Sequence, residues 1–185
     1  MSLLHFFGRT RQLEEKLKES RARLCRLAHS WCHHRALADD LVQEALAKAV
    51  SHHDQLRDPA SLHAWLCSIL ANCWHDHLRA SKDTTDIDAI EEHELQADGL
   101  SPEEDCLQNE IVLRVRRAVA ALPSGQREVV TLVDLEEFSY AEVAAILAIP
   151  MGTVMSRLSR ARLALKEKLA EHTVSAPVHK LAMVK

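Results

Sequence analysis

The segment "MSRLSRAR", residues 155–162, concentrates three guanidinium groups, two hydroxyls and a thioether within eight positions. Leu158 and Ala161 supply an apolar underside at helical spacing, which leaves Met155, Ser156, Ser159 and Arg160 facing outward and Arg157 and Arg162 at the flanks. Arginine presents a planar fork of donors that matches a guanine edge or a pair of phosphate oxygens, and hydroxyls supply further donors. The chemistry available to this face is therefore recognition of a polyanion. An ordinary basic amphipathic helix on a globular surface is the competing reading of the same spacing. No nucleophile beside a base, no Gly-rich phosphate loop and no carboxylate dyad stands out, so no enzymatic activity is expected.

A second group of side chains suggests metal chemistry. Cys25, His29 and Cys32 are spaced four and three apart on one helix face, with His33 adjacent and His52, His53, His63, His75 and His77 further on. Zinc requires four ligands in a tetrahedron, and one straight helix rarely supplies more than two or three. Cys25, Cys67 and Cys73 lie on apolar faces where a thiol packs as a small hydrophobe. No metal and no other cofactor is expected.

The elements that must position these residues are helical. Only four glycines, five prolines and seven aromatics occur in 185 residues rich in Ala, Leu, Glu and Arg, which predicts an all-α protein. Apolar spacing places helices over about Leu13–Ala28, Ala36–Val50 and Leu62–Arg79, with "HHDQLRDPAS" breaking the pattern at Pro59. Further helices are expected over Glu104–Leu122, Gln126–Leu135, Tyr140–Leu147 and Pro150–Ala170. In "SYAE", Ser139 and Glu142 form a capping box, and Pro150 suits the first turn of the helix after "AIPMG". A short helix, a tight turn and a second helix with a cationic outer face make a helix-turn-helix. Four spans follow: a helical module at 10–80, an acidic connector at 81–105, a second helical module at 106–170 and a frayed tail at 171–185.

The net charge of -4 is unevenly placed. Residues 1–80 carry a net of +2, residues 81–110 a net of -10 and residues 111–185 a net of +4. Dense charge with few large apolar groups predicts a flexible connector, and local basic fields leave nucleic-acid binding open despite the acidic total. There is no run of eighteen apolar residues, and "MSLLHFFGRTRQ" is too quickly charged for a secretory signal, so a cytoplasmic protein is expected. Cys25, Cys32, Cys67, Cys73 and Cys106 are scattered, as befits free thiols.

These blocks, in this order, closely resemble the extracytoplasmic-function sigma factors of the sigma-70 family. "ALPSGQREVVTLVDLEEFSYAEVAAILAIPMGTVMSRLSRARLALKEKL" is similar to their region 4, "ADDLVQEALAKAV" to region 2.2, and "SLHAWLCSILANCWHDHLR" to regions 2.3 and 2.4. The resemblance implies a region 2 helical bundle and a region 4 helix-turn-helix joined by the acidic linker. It implies an alternative sigma factor that binds core RNA polymerase, through the β′ clamp helices and β flap, and recognises promoter −35 and −10 elements while aiding melting. On that mapping Asp40, Gln43 and Glu44 face the polymerase, and Met155, Ser156, Ser159 and Arg160 read the −35 element, with Arg157 and Arg162 on DNA phosphates or paired within the domain. Arg57, Asp58 and Ser61 belong to the loop that cradles a flipped −10 base. Asn72 reads the upstream edge of that element, unless its amide is bonded to a neighbouring turn, and Arg79 neutralises phosphate or stabilises a helix end. An anti-sigma factor is a further implied partner, and the histidine and cysteine positions carry no metal in the family. The segment "NCWHDHLRASK" departs from the pattern in being poor in Lys and Arg, which implies weak melting and a strict promoter. A free-standing helix-turn-helix regulator, and a metal-binding stress sensor, are the alternatives. The promoter sequence, regulated genes, inducing signal and inhibitor are not legible.

Overall fold

The computed structural model describes residues 3–56, 58–84 and 106–171, with side chains placed for most of them. Among the described residues there are seven α-helices and no strand: α1 (Leu3–Cys32), α2 (Arg35–Ser51), α3 (Leu62–Thr84), α4 (Cys106–Ala120), α5 (Ser124–Val130), α6 (Tyr140–Ile146) and α7 (Met151–Glu171). The helices α1–α3 form a first half and α4–α7 a second.

Each expected helix is present, with bounds that shift where local chemistry permits. The helix expected over Leu13–Ala28 is the middle of a 30-residue α1, because the flanking residues contain strong helix formers and no proline. It ends where His33 takes a left-handed φ of 54° and its N–H reaches the His29 carbonyl at 2.9 Å. His34 then caps α2, its Nδ1 accepting from the Leu37 N–H at 3.1 Å. The connector expected from residue 81 is helical at its start, since α3 continues to Thr84 and Ser81 bonds back to the His77 carbonyl at 2.9 Å. Its remaining residues, 85–105, lie outside the described residues, as does the tail beyond Glu171. The helix expected over Gln126–Leu135 begins earlier, at Ser124, and becomes a π-helical turn over Thr131–Leu135.

The core of the first half joins Leu24, Leu27 and Trp31 of α1 to Leu41, Val42 and Ala45 of α2 and Leu66, Leu70 and Trp74 of α3. In the second half Leu122, Val129 and Leu132 pack with Val143, Val154 and Leu158. These two sets are contiguous, so the modules expected from the sequence are packed directly on one another.

Cys67 and Cys73 are buried in α3, as the apolar spacing predicts. Burial, with the nearby Glu136 charge added, pushes the Cys67 thiol up to about 12. Because only the thiolate attacks an electrophile, a maleimide or iodoacetamide at pH 8 should modify Cys67 at least roughly a hundredfold more slowly in the native chain than in urea. Peptide mass spectrometry of the two samples measures this, and equal rates would contradict the buried placement.

Candidate nucleic-acid interface

The outward face of α7 depends on how the preceding turn is closed. Ser139 accepts from the Glu142 N–H at 3.3 Å, and the Glu142 carboxylate accepts from the Ser139 N–H at 2.8 Å, completing the capping box of α6. Such a cap stabilises a helix start by about 1 kcal/mol. At the far end Ala148 adopts a left-handed φ of 51°, and the Ile149 N–H closes on the Ala144 carbonyl at 3.0 Å. Pro150 stands just ahead of α7, not within its first turn as expected, and its carbonyl accepts from the Thr153 and Val154 N–H groups. Its missing N–H therefore costs the helix nothing.

With Val154, Leu158 and Ala161 buried and Leu165 half-buried, Met155, Ser156, Ser159 and Arg160 are all exposed on one face. Met155 is 52% exposed, so its thioether is available to a groove contact. The flanking arginines are engaged within the chain. Arg162 forms a forked pair with Asp134 at 2.5 and 3.3 Å. Arg157 is half-buried, and its guanidinium lies where a Cβ on Gly125 would come within 2.9 Å of it. Glycine at 125 is what leaves room for that side chain.

On α3, Asn72 is exposed on the helix surface. Arg79 is also exposed and pairs with Asp76 one turn earlier. The loop before α3 is two 3-10 turns, His53–Gln55 and Pro59–Ser61. Asp58 pins the second, accepting from the Ala60 N–H at 3.0 Å and from the Ser61 hydroxyl at 3.1 Å. Arg57 lies outside the described residues. On α2, Asp40, Gln43 and Glu44 are exposed above buried Leu41, Val42 and Ala45, and Glu44 pairs with Lys48 at 2.7 Å.

The cysteines near the end of α1 have other partners. The Cys25 thiol points to Asp39 at 3.6 Å and the Cys32 thiol donates to the His34 carbonyl at 3.2 Å. Burial, with the Arg127 and His29 charges added, lowers His33 to about 4, which keeps it neutral near neutrality. Among the described residues no three His, Cys, Asp or Glu side chains gather where they could hold a metal ion. No single described helix is long and apolar enough to cross a membrane.

A set of contacts absent from the sequence reading joins the halves. The Trp31 indole donates to Thr131 Oγ1 at 2.8 Å, and Arg127 donates to the Trp31 carbonyl. Glu128, 3% exposed, receives Trp74 Nε1 at 3.1 Å and lies 3.0 Å from His75 Nε2. Glu136 receives Arg23 Nε at 2.5 Å and lies 2.7 Å from His63 Nε2, while the His63 ring stacks on Phe138 at 5.2 Å. The positive φ of Glu137, 61°, turns the chain between Glu136 and Phe138. The only sequence signal for this joint was the density of histidine on α3.

Comparison with known proteins accounts for both halves. The family model described as Sigma-70 region 2 matches residues 17–84, and that described as Sigma-70, region 4 matches residues 113–165. The chain is 36% identical over 138 residues to the ECF RNA polymerase sigma-E factor of Escherichia coli (strain K12), covering 70% of this chain and 72% of that one. It is 34% identical over 140 residues to the RNA polymerase sigma-H factor of Pseudomonas aeruginosa, covering 71% and 72%. Among solved structures, the sigma factor RpoE in complex with the anti-sigma factor NepR from Bartonella quintana is similar with a TM-score of 0.65 and 31% identity, covering 86% of this chain and 97% of that chain. CnrH, solved with the cytosolic domain of CnrY, shares the fold with a TM-score of 0.61 at 24% identity, covering 87% and 89%. Regions 2 and 4 thus occur in order on one helical chain, with polar faces exposed on α2, α3 and α7; the chain belongs to the sigma-70 family as an extracytoplasmic-function sigma factor, which directs transcription initiation.

Proposed function

We propose that this sigma factor binds core RNA polymerase through the α2 face of Asp40, Gln43 and Glu44. Its promoter would be read at two places, by Met155, Ser156, Ser159 and Arg160 of α7 at the −35 element and by the α3 side at the −10 element. The observation that carries this reading is the joint exposure of these faces above fully buried apolar undersides. A side chain aimed at solvent from a rigid helix is what groove readout requires. Asn72 offers both a donor and an acceptor to a base edge, and the turn in which Asp58 bonds Ser61, just ahead of α3, would meet an extruded base, Arg57 belonging to the same segment by sequence.

Arg79 and Arg162 fit phosphate contacts only if their present partners are exchanged, and Arg157 only if it leaves the space beside Gly125. The Arg162–Asp134 and Arg79–Asp76 pairs are exposed, and exposed ion pairs are worth at most about 1 kcal/mol. A phosphate can compete for both. The protein acts without catalysing a reaction of its own, in the cytoplasm where the polymerase is. An anti-sigma factor is the expected inhibitor, in keeping with the complex in which the similar sigma factor RpoE was solved with the anti-sigma factor NepR. A free-standing helix-turn-helix regulator is not favoured, since it leaves the α2 face and α3 without a role.

Sigma-free core polymerase, supplied with this protein and fragmented genomic DNA, should initiate at defined starts that share −35 and −10 motifs. Sequence-specific duplex binding with no initiation would instead support the regulator. Arg160→Ala should weaken −35 recognition by about 1–3 kcal/mol, as measured on duplex probes, and leave polymerase binding intact. The double substitution Gln43→Ala with Glu44→Ala should abolish co-purification with core polymerase while −35 duplex binding persists. Equal loss of both activities in either variant would refute the assignment of separate faces.

A further inference from the structure

The joint between the halves is built on histidine–carboxylate contacts, and it stands between this conformation and promoter binding. By their names the −35 and −10 elements lie about 25 base pairs apart, or roughly 85 Å along the duplex at 3.4 Å per pair. A compact chain of 185 residues has a radius of gyration of about 16 Å. Two modules in contact cannot span that distance, so, on the reading of a two-element promoter, the joint must open.

Two carboxylates of the second half are sunk into the first. Glu128 on α5 has a side chain only 4% exposed and finds Trp74 and His75 of α3. Glu136, just past the π-helical turn, has a side chain 8% exposed and finds His63 of α3 and Arg23 of α1. Every one of these partners lies across the joint.

We propose that the His75–Glu128 pair is a pH-responsive latch, which, beside the His63–Glu136 contact, holds the two halves closed in mildly acidic solution and releases them as the pH rises.

The charges facing each group set the direction. His75 is faced by Glu128 from α5, by Arg79 from its own helix and by Arg157 from α7. Its hydrogen bond to Glu128 outweighs burial and the two arginines and raises its pKa in the closed form. Protonated His75 therefore favours closure fully below the ordinary histidine value, and that contribution disappears as the pH climbs through the raised one. Glu136 is faced by His63, Arg23 and the Cys67 thiol. Burial pushes it up, but the hydrogen bonds and charges of His63 and Arg23 together hold it below the ordinary carboxylate range. Its contribution is present across neutrality and is lost only in stronger acid. Closure is thus tightest in mild acid and loosens on the alkaline side. The Trp31–Thr131 and Arg127–Trp31 contacts do not titrate in this window and supply the constant part of the joint.

Small-angle scattering of the full chain, without polymerase, tests this between about pH 6 and pH 8.5. The radius of gyration should rise with pH as the open fraction grows several-fold, and the rise should be lost in His75→Gln, which keeps a donor but cannot carry charge. Glu128→Gln should flatten the profile in the same way, with circular dichroism confirming intact helices. A wild-type radius that does not change, or an unchanged response in both variants, overturns the latch. Promoter-specific transcription on core polymerase is run in parallel. Initiation without the pH response defeats the latch alone, whereas the pH response without initiation defeats the sigma reading and leaves the latch standing.

Discussion

Arg127 holds together the ends of two helices that belong to different halves. One of its terminal nitrogens donates to the Trp31 carbonyl at the end of α1, and the other to the Ala120 and Leu122 carbonyls where α4 ends, at 2.7 and 2.8 Å. Helix C-termini carry a partial negative charge and unsatisfied carbonyls, so two of them together compensate a guanidinium that has no carboxylate against it. Burial lowers its pKa, against the pull of Glu128 and Cys32, but an arginine has ample margin to remain a cation. Its two terminal nitrogens thus serve the two helix ends. With the Trp31–Thr131 hydrogen bond it fixes the exit of α1 relative to the entry to α5.

The seven residues of α5 and the turn beyond it then carry a disproportionate share of the structure. Val129, Val130 and Leu132 point into the second half's core. Arg127, Glu128 and Thr131, on the other side, meet Trp31, Trp74 and His75. One short element serves as core on one face and as joint on the other. The side of α5 that faces the joint is polar, beside the apolar contact by which the two cores meet, and this matters energetically. Hydrogen bonds exchanged for water on separation contribute only about 0.5–1.5 kcal/mol each, whereas an apolar interface of the same extent would resist separation at every pH. Polar contacts fix the register of the halves and still permit them to part.

This division explains what could be read from the sequence. The face of α7, the capping box at Ser139 and the apolar undersides of α2 and α3 are local, and helical spacing or a four-residue motif encodes them. The same holds for the two regions by which the family is recognised. Glu128 and Thr131, in contrast, are polar residues on a short helix and look like solvent-facing positions. Their partners lie 53 to 100 residues away, and no spacing rule joins positions so distant. Histidine on α3 was visible but pointed toward metal, because ligand spacing is a familiar pattern and a cross-chain carboxylate leaves none. The extension of α3 to Thr84 escaped for another reason: a helix end without an apolar stripe is set by propensity and the absence of breakers, which mark no sharp boundary, while that of α1 takes in the apolar "LLHFF", which "GRTRQ" separates from Leu13.

Closure restrains the protein through spacing more than through occlusion. Asn72, the α2 triad and the outer face of α7 are all exposed while the halves are packed, so each surface can meet its target singly. What the closed form withholds is simultaneous contact. Two linked weak sites gain affinity only when geometry lets both engage at once. Residues 85–105 separate α3 from α4, and 21 residues can extend to at most about 75 Å. That reach, added to the breadth of the modules themselves, covers the roughly 85 Å between the two elements. The chain between the halves is therefore long enough to serve the open form, and it imposes no need for them to touch. Their contact is a property of the side chains at the joint, which makes the balance between closed and open forms adjustable by whatever competes for Glu128 and Glu136.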